Sequence, residues 1–418
     1  MHQSNSKNAH RLLEGIGLLV ALLIGLNLAF LYDPAVNETP LHVTNQSVSV
    51  AQNVFYDLKK ISIVGAGANS QPPVHLQTLA DGTQWDQAEA QSIVASNQAA
   101  LQLFDQAAGK PGFRDPLLGD ANLVNHNSPL SQLGSFRSSA YLAIVNAELL
   151  RRSGHEAEAV VQGMEVVQLG QTVQQSQSFG ILWLVSTSMK QTGLRWLQRD
   201  LSSTGLSSAQ LLAIRSELDP MLANTEGLRT SLKLEGLAET HGYETLRNEA
   251  RENFGFPSAV AFVPYSFQPN RTAGYKIDDF QTQIANVDRP CGNLFATAQP
   301  NLSAVGYVFR YASPNGAGKW LVDLGSRFGQ TWQYTRCGDS FAVEATQLTA
   351  SLQAYRKDKG NFPQRLSDLV PAYMPAILTD PYDGRPLQYD AVVGTIASSG
   401  KDLPIDGKYK ERLSVMFK

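Results

Sequence analysis

Only two cysteines, Cys291 and Cys337, occur among 418 residues, which excludes a cysteine-rich disulfide scaffold and a thiolate metal cluster. Charge is sparse as well. Charged residues make up 17% of the chain and the net charge is −3, so no basic block is left to neutralise phosphates, and nucleic acid is excluded as a partner. The histidines are few and scattered: His42, His75, His126, His155 and His241 form no close ligand pair, and "HEAEA" at His155 lacks the second histidine of a zinc protease. "CGDSF", Cys337 to Phe341, lacks the glycines that shape a nucleophile turn around Ser340. "NGAGKW" puts Trp320 where a P-loop needs Ser or Thr. In "IVGAGANSQPP", Ser70 replaces the third glycine of a dinucleotide fingerprint and Pro72-Pro73 blocks its helix, which leaves a loop.

What the chain does have is one long apolar run, "LLEGIGLLVALLIGLNLAFLY", Leu12 to Tyr32, interrupted only by Glu14 and Asn27. As a helix it is long enough for a hydrocarbon core of roughly 30 Å. A cleavable signal peptide has a shorter apolar core and a small-x-small site after it, so the run is read as an uncleaved anchor. Lys7 and Arg11 precede it, whereas Asp33 and Glu38 follow. The positive-inside rule then keeps residues 1–11 in the cytoplasm and exports the rest, giving a single-pass protein of the inner membrane. An even, sparse cysteine count in an exported chain points to a Cys291–Cys337 disulfide, with two buried thiols as the alternative.

Residues 33–85 read as a linker with a short strand-like patch around "NVFYDLKKISIV". From residue 86 to 253 helical periodicity dominates. "DQAEAQSIVASNQAALQLFDQAAG" places Ile93, Ala100, Leu101 and Phe104 on one stripe. "LGSFRSSAYLAIVNAELLRRSG" gathers Phe136, Ala140, Ile144, Ala147 and Leu150 and stops at Gly154. The next helix follows at once, so an antiparallel hairpin is expected. Leu150, Gly154 and Ala159 echo tetratricopeptide spacing, but no second copy is in register, so the region is an irregular helical array. Ser207 or Ser208 caps "SSAQLLAIRSELDPML" and Pro220 ends it. Glu235 shares an apolar stripe with Leu228 and Leu232, which makes it a capped or solvated carboxylate before it is a catalytic acid. Residues 254–341, rich in Gly, Pro and Asn with β-like runs "VGYVFRYA" and "KWLVDLG", read as a loop-rich connection pinned by the cysteines.

From residue 342 to 418 the pattern is one α+β unit. "DSFAVEATQLTASLQAYRKDKG" is a helix capped by Asp339 or Ser340, with Val343, Leu348, Leu352 and Tyr355 on one face and Gly360 as its stop. Ser367 opens a short turn that Pro371 and Pro375 cannot continue. Asp383-Gly384 marks a tight turn before Leu387 and Tyr389 on a strand. The expected core is Leu348, Leu352, Tyr355, Phe362, Leu366, Leu369 and Leu387. The helix ending in "AYRKDKGNFP", the stretch "LVPAYMPAILTDPYDG" and the tail Ser398, Gly400, Asp402 together resemble the C-terminal region of the major pseudopilin of type II secretion systems, over about Glu344 to Asp406. The resemblance implies the fold of this end unit and, through Asp402 and Asp406, a calcium ion on its last loop. It does not extend to filament assembly: Ala9 and His10 stand where a prepilin has glycine and an apolar residue, and a helical region intervenes.

The fold expected is therefore mainly α: an N-terminal transmembrane helix, an irregular helical array and a small C-terminal α+β unit. The function that follows is a scaffold or interaction protein of the bacterial envelope, associated with secretion. Its partners are the lipid bilayer through residues 12–32 and other envelope proteins, with no catalytic residues assigned. The alternative is an envelope hydrolase whose site converges only in three dimensions.

Overall fold

The computed structural model describes residues 32–44, 46–64, 74–116, 130–202, 205–222, 225–253, 265–291, 310–398 and 413–418, together with positions 17, 18, 21 and 306. Most of the anchor expected at Leu12–Tyr32 thus lies outside the described residues, as do the "VGAG" loop beyond Val64 and the tail with Asp402 and Asp406. Among the described residues, no helix is long and apolar enough to cross a membrane.

The protein is mainly helical, with one small sheet. In chain order the helices are α1 (Phe55–Leu58), α2 (Val74–Ala80), α3 (Gln87–Ser96), α4 (Gln98–Ala108), α5 (Leu130–Arg152), α6 (Glu156–Gln174) and α7 (Gly180–Leu201). They continue with α8 (Ser208–Leu218), α9 (Glu226–Asn253), α10 (Pro269–Ala285) and α11 (Gly316–Lys359). Strands β1 (Gln388–Asp390), β2 (Thr395–Ala397) and β3 (Ser414–Met416) pair antiparallel in the order β1-β2-β3. Tyr389 faces Ile396 across the first pair, and Ile396 faces Val415 across the second.

Local chemistry explains several helix ends. The Asp86 carboxylate accepts the Glu89 N–H at 2.9 Å and starts α3. At the far end of α5, Gly154 takes φ +86°, and the His155 N–H returns to the Leu150 carbonyl at 2.9 Å. Ser207 and Gln210 form a reciprocal capping box at α8. Gly360, at φ +80°, ends α11.

Four expectations need correction. The stripe read from Ile93 to Phe104 is two helices, because the buried Asn97 breaks them. Its side-chain amide donates to the Ile93 carbonyl at 2.9 Å, and its oxygen accepts the Val64 N–H at 2.7 Å. The strand-like "NVFYDL" is a helical turn, α1, although Asn53 does make an isolated bridge to Gly112. "KWLVDLG" is helical, and α10 and the first half of α11 occupy what read as loop. The glycines that suggested loops there serve close packing, since a Cβ on Gly318 would collide with Thr272 and Asn315. Asp339 and Ser340 sit in the body of α11 rather than at its start, because that helix begins at Gly316.

The chain divides into two compact units. Unit 2, residues 43–235, 283–298 and 329–418, has a continuous core. In it the end unit (Leu348, Leu352, Leu369, Leu387, Ile396, Phe417) joins the helices α3 to α8. Tyr355, Phe362 and Leu366 pack half-buried against it. Phe417, the residue after β3, lies 5.0 Å from Phe362 and stacks 5.4 Å from Tyr389, ring centre to ring centre. The Asp383-Gly384 turn closes the Thr379–Pro386 bridge, and β1 and β2 are joined by the next turn, where Gly394 takes φ +82°. Unit 1, residues 1–42, 236–282 and 299–328, has a smaller core of Tyr243, Phe267 and Ala273, with Val36, Leu246, Ala317 and Leu321 against it.

Candidate functional site: an acidic groove on a helical hairpin

Helices α4, α5 and α6 line an open groove of about 480 Å³. From α6 it receives Glu158, Val161, Gln162 and Glu165, one stripe at the i, i+3, i+4, i+7 spacing of a helix face. Asn146 and Leu150 of α5 form the second wall, and Asp105 of α4 closes one end. The Asn146 amide donates to the Gln162 oxygen at 2.5 Å, so the floor is fixed by an amide pair across the hairpin. Val161 is 59% exposed, an apolar side chain among acids.

Burial in the groove raises the Asp105 carboxyl above its ordinary value, and a hydrogen bond from Gln162 partly offsets this. Glu165 is raised by burial and then by the charge of Asp105. Two such carboxylates beside an exposed valine make hydrogen-bond acceptors for an ammonium or guanidinium group with a short apolar neighbour.

The residues singled out from the sequence fall elsewhere. Glu235 is half-buried and structural: its carboxylate accepts the Gly180 N–H at 2.8 Å, at the first residue of α7. Ser340 lies mid-helix, without a nucleophile turn. His155 meets Ser153 at 3.0 Å, and His241 meets Glu38 at 3.1 Å. Cys291 and Cys337 form a disulfide with Cα atoms 6.4 Å apart, beside Tyr334 and Tyr382. It ties the chain after α10 to the middle of α11, not to the start of a helix. The calcium candidates Asp402 and Asp406 lie outside the described residues, and among the described ones no group of three or more His, Cys, Asp or Glu could hold a metal ion. The groove itself was missed, although Glu158 and Glu165, two turns apart on one face of α6 with Val161 between them, were a readable signal.

Two polar clusters lie beneath the surface of unit 2. In the first, Lys190 of α7 meets Asp339 of α11 at 2.6 Å. Its ammonium also donates to Gln171 at 2.7 Å and Gln174 at 3.1 Å. In the second, the Ser398 hydroxyl donates to Asp380, which also accepts the Tyr382 N–H at 2.9 Å. Burial, then the charge of Asp380, pushes the nearby Glu344 carboxyl up to about 8, and among the described residues its Oε2 has no hydrogen-bond partner.

That shift predicts a pH dependence. An unfolded glutamate has already lost its proton where the folded Glu344 still holds one, so stability falls as pH rises from about 4.5 through 8. Asp200, raised to about 7 by burial and then by Glu156, adds a slope of the same sign. Glu344→Gln should flatten the decline of the denaturation midpoint between about pH 5 and pH 9, and Asp200→Asn should remove most of the remainder. A wild-type midpoint that rises over this range would contradict the assignment.

No family model, curated protein or solved structure matches the chain.

Proposed function

We propose that the protein is a membrane-anchored extracytoplasmic scaffold or interaction protein of the bacterial envelope, associated with secretion, that holds a basic segment of a partner protein in the groove of α4, α5 and α6. The observation that carries this reading is the groove itself, open, acidic on two sides and with an exposed valine at its centre. The compartment is supported by the flanking charges of the apolar run and by the disulfide, a bond that persists in oxidising surroundings. The resemblance of residues 342–418 to a pseudopilin end unit belongs to the same proposal. Its support is the order helix, short 3-10 turn, antiparallel sheet.

The second reading, an envelope hydrolase, rests on Asp105 and Glu165, two raised carboxylates in one groove. The open groove favours docking, because bulk water reaches both acids and charge stabilisation there is weak. A photocrosslinking residue at Val161 of the full chain in its membrane separates the two. Docking predicts adducts to a partner through a Lys- or Arg-rich segment, lost in Glu158→Lys/Glu165→Lys and kept in the remote Glu217→Lys. Adducts indifferent to these charges would overturn the docking reading, and turnover abolished by Asp105→Asn would establish the hydrolase instead.

A further inference from the structure

Among the described residues every exposed aromatic side chain belongs to unit 1: Tyr32, Tyr265, Tyr275 and Trp320. Trp320 is 52% exposed and shares its face of α11 with Leu324, 46% exposed and one turn on. The adjoining face of the same helix is covered, with Ala317 and Leu321 packed on Tyr243, Phe267 and Ala273. The exposed pair therefore does not fill this core.

Cations lie alongside. Lys319 precedes Trp320, and Arg271 and Arg310 are close enough that their repulsion adds to burial in lowering the lysine's affinity for its proton. Arg310 is paired with Asp323 at 2.8 Å, whereas Lys319 bonds only the Ser313 hydroxyl, at 2.7 Å, among the described residues. Arg271 and Tyr275 are one turn apart on α10.

The chain end of the apolar run is fixed to the same place. Asp33 follows that run directly, and its carboxylate accepts the Asn270 N–H at 3.0 Å and the Arg271 N–H at 2.9 Å, capping the first turn of α10. Residues 32 and 33 thus leave no slack between the run and the helix that carries Arg271 and Tyr275.

We propose that unit 1 lies on the membrane surface from which the chain emerges, with Trp320 and Leu324 seated among the headgroups and Arg271 and Lys319 facing lipid phosphates. Tryptophan and tyrosine favour that depth, because one end of the ring is apolar and the other polar. Anionic headgroups relieve the repulsion among Arg271, Arg310 and Lys319, which Asp323 and Asp33 offset only in part. The inference rests on the reading of Leu12–Tyr32 as an anchor, and the test separates the two.

The full chain is reconstituted into vesicles of phosphatidylcholine with phosphatidylglycerol, carrying lipids brominated near the headgroup end of the acyl chain. Carbonate-resistant flotation reports the anchor, and quenching of tryptophan emission reports docking. Wild type should float and be quenched, with the quenched component lost in Trp320→Phe. Arg271→Gln/Lys319→Gln should be quenched less than wild type in these vesicles and to the same extent as wild type in vesicles of phosphatidylcholine alone. A chain that floats with a quenched component unaltered by Trp320→Phe, or with none, overturns the docking and leaves the anchor. A chain that does not float overturns both.

Discussion

Replacing Asp339 by alanine is expected to destabilise the protein by about 3–5 kcal/mol. Lys190 is 1% exposed and the Asp339 side chain 9%, so neither charge has water to fall back on. The ammonium keeps Gln171 and Gln174 when the carboxylate is removed, but amide oxygens do not neutralise a buried cation. Gln174 also loses an acceptor, since its Nε2 donates to Asp339 at 3.0 Å and to Thr187 at 2.8 Å. Lys190→Met leaves the opposite charge stranded and should cost a similar amount. The double variant Lys190→Met/Asp339→Leu should recover most of the loss, because the pair together contributes little beyond what apolar packing supplies. Denaturant midpoints of the four proteins check this. Additive losses in the double variant would mean that the two charges are not coupled.

The second large effect is expected from a single methyl group. Gly170 of α6 lies against the backbone of α7, and a Cβ there would sit 2.7 Å from the Lys190 nitrogen and 2.9 Å from its Cα. Gly193 answers from α7, with Val167 Cγ2 at 2.7 Å and the Gly163 carbonyl at 3.0 Å. These neighbours are mostly backbone, so a methyl is accommodated only by moving one helix off the other. Gly170→Ala should therefore destabilise by about 1–3 kcal/mol, although alanine is the better helix former. Gly242 of α9 has nothing within 4 Å of the same position, and Gly242→Ala should stabilise by roughly 0.5–1 kcal/mol. Thermal or denaturant unfolding gives both signs. A stabilised Gly170→Ala would show that α6 and α7 are not in backbone contact.

How far the sequence could be read depended on how far each residue's partner lay along the chain. Gly154 and Ser207 act on groups within one turn, and their roles were legible. So was the apolar face of Leu348 and Leu352, which repeats at helical spacing whatever it packs against. Asp339 was misread as a cap because its partner Lys190 is 149 positions away. The first half of α11 was hidden by Gly316 and Gly318, which mean loop locally and close approach in the fold. Glu235 attracted attention by standing on an apolar stripe, and the fold uses it to satisfy a helix end. The groove needed three helices at once, and only its α6 stripe was written in consecutive residues.

The hydrogen bonds of Asp33 also set an order of events. Asp33 and Asn270 are 237 positions apart, and Glu38 and His241 are 203 apart. At about 5–20 residues per second, a ribosome takes roughly 12–47 s to travel from the first to the second of the longer pair. Throughout that interval Leu41, which finally packs beside Gly236 and Phe280, has been made and its pocket has not. The helices from α1 to α8 emerge in the same interval, and the end unit that completes their core, from Leu348 to Phe417, is made later still. The segment nearest the apolar run is therefore translated first and packed only once residue 280 has been made, and a nascent chain halted before residue 236 leaves Leu41 without Gly236 and Phe280.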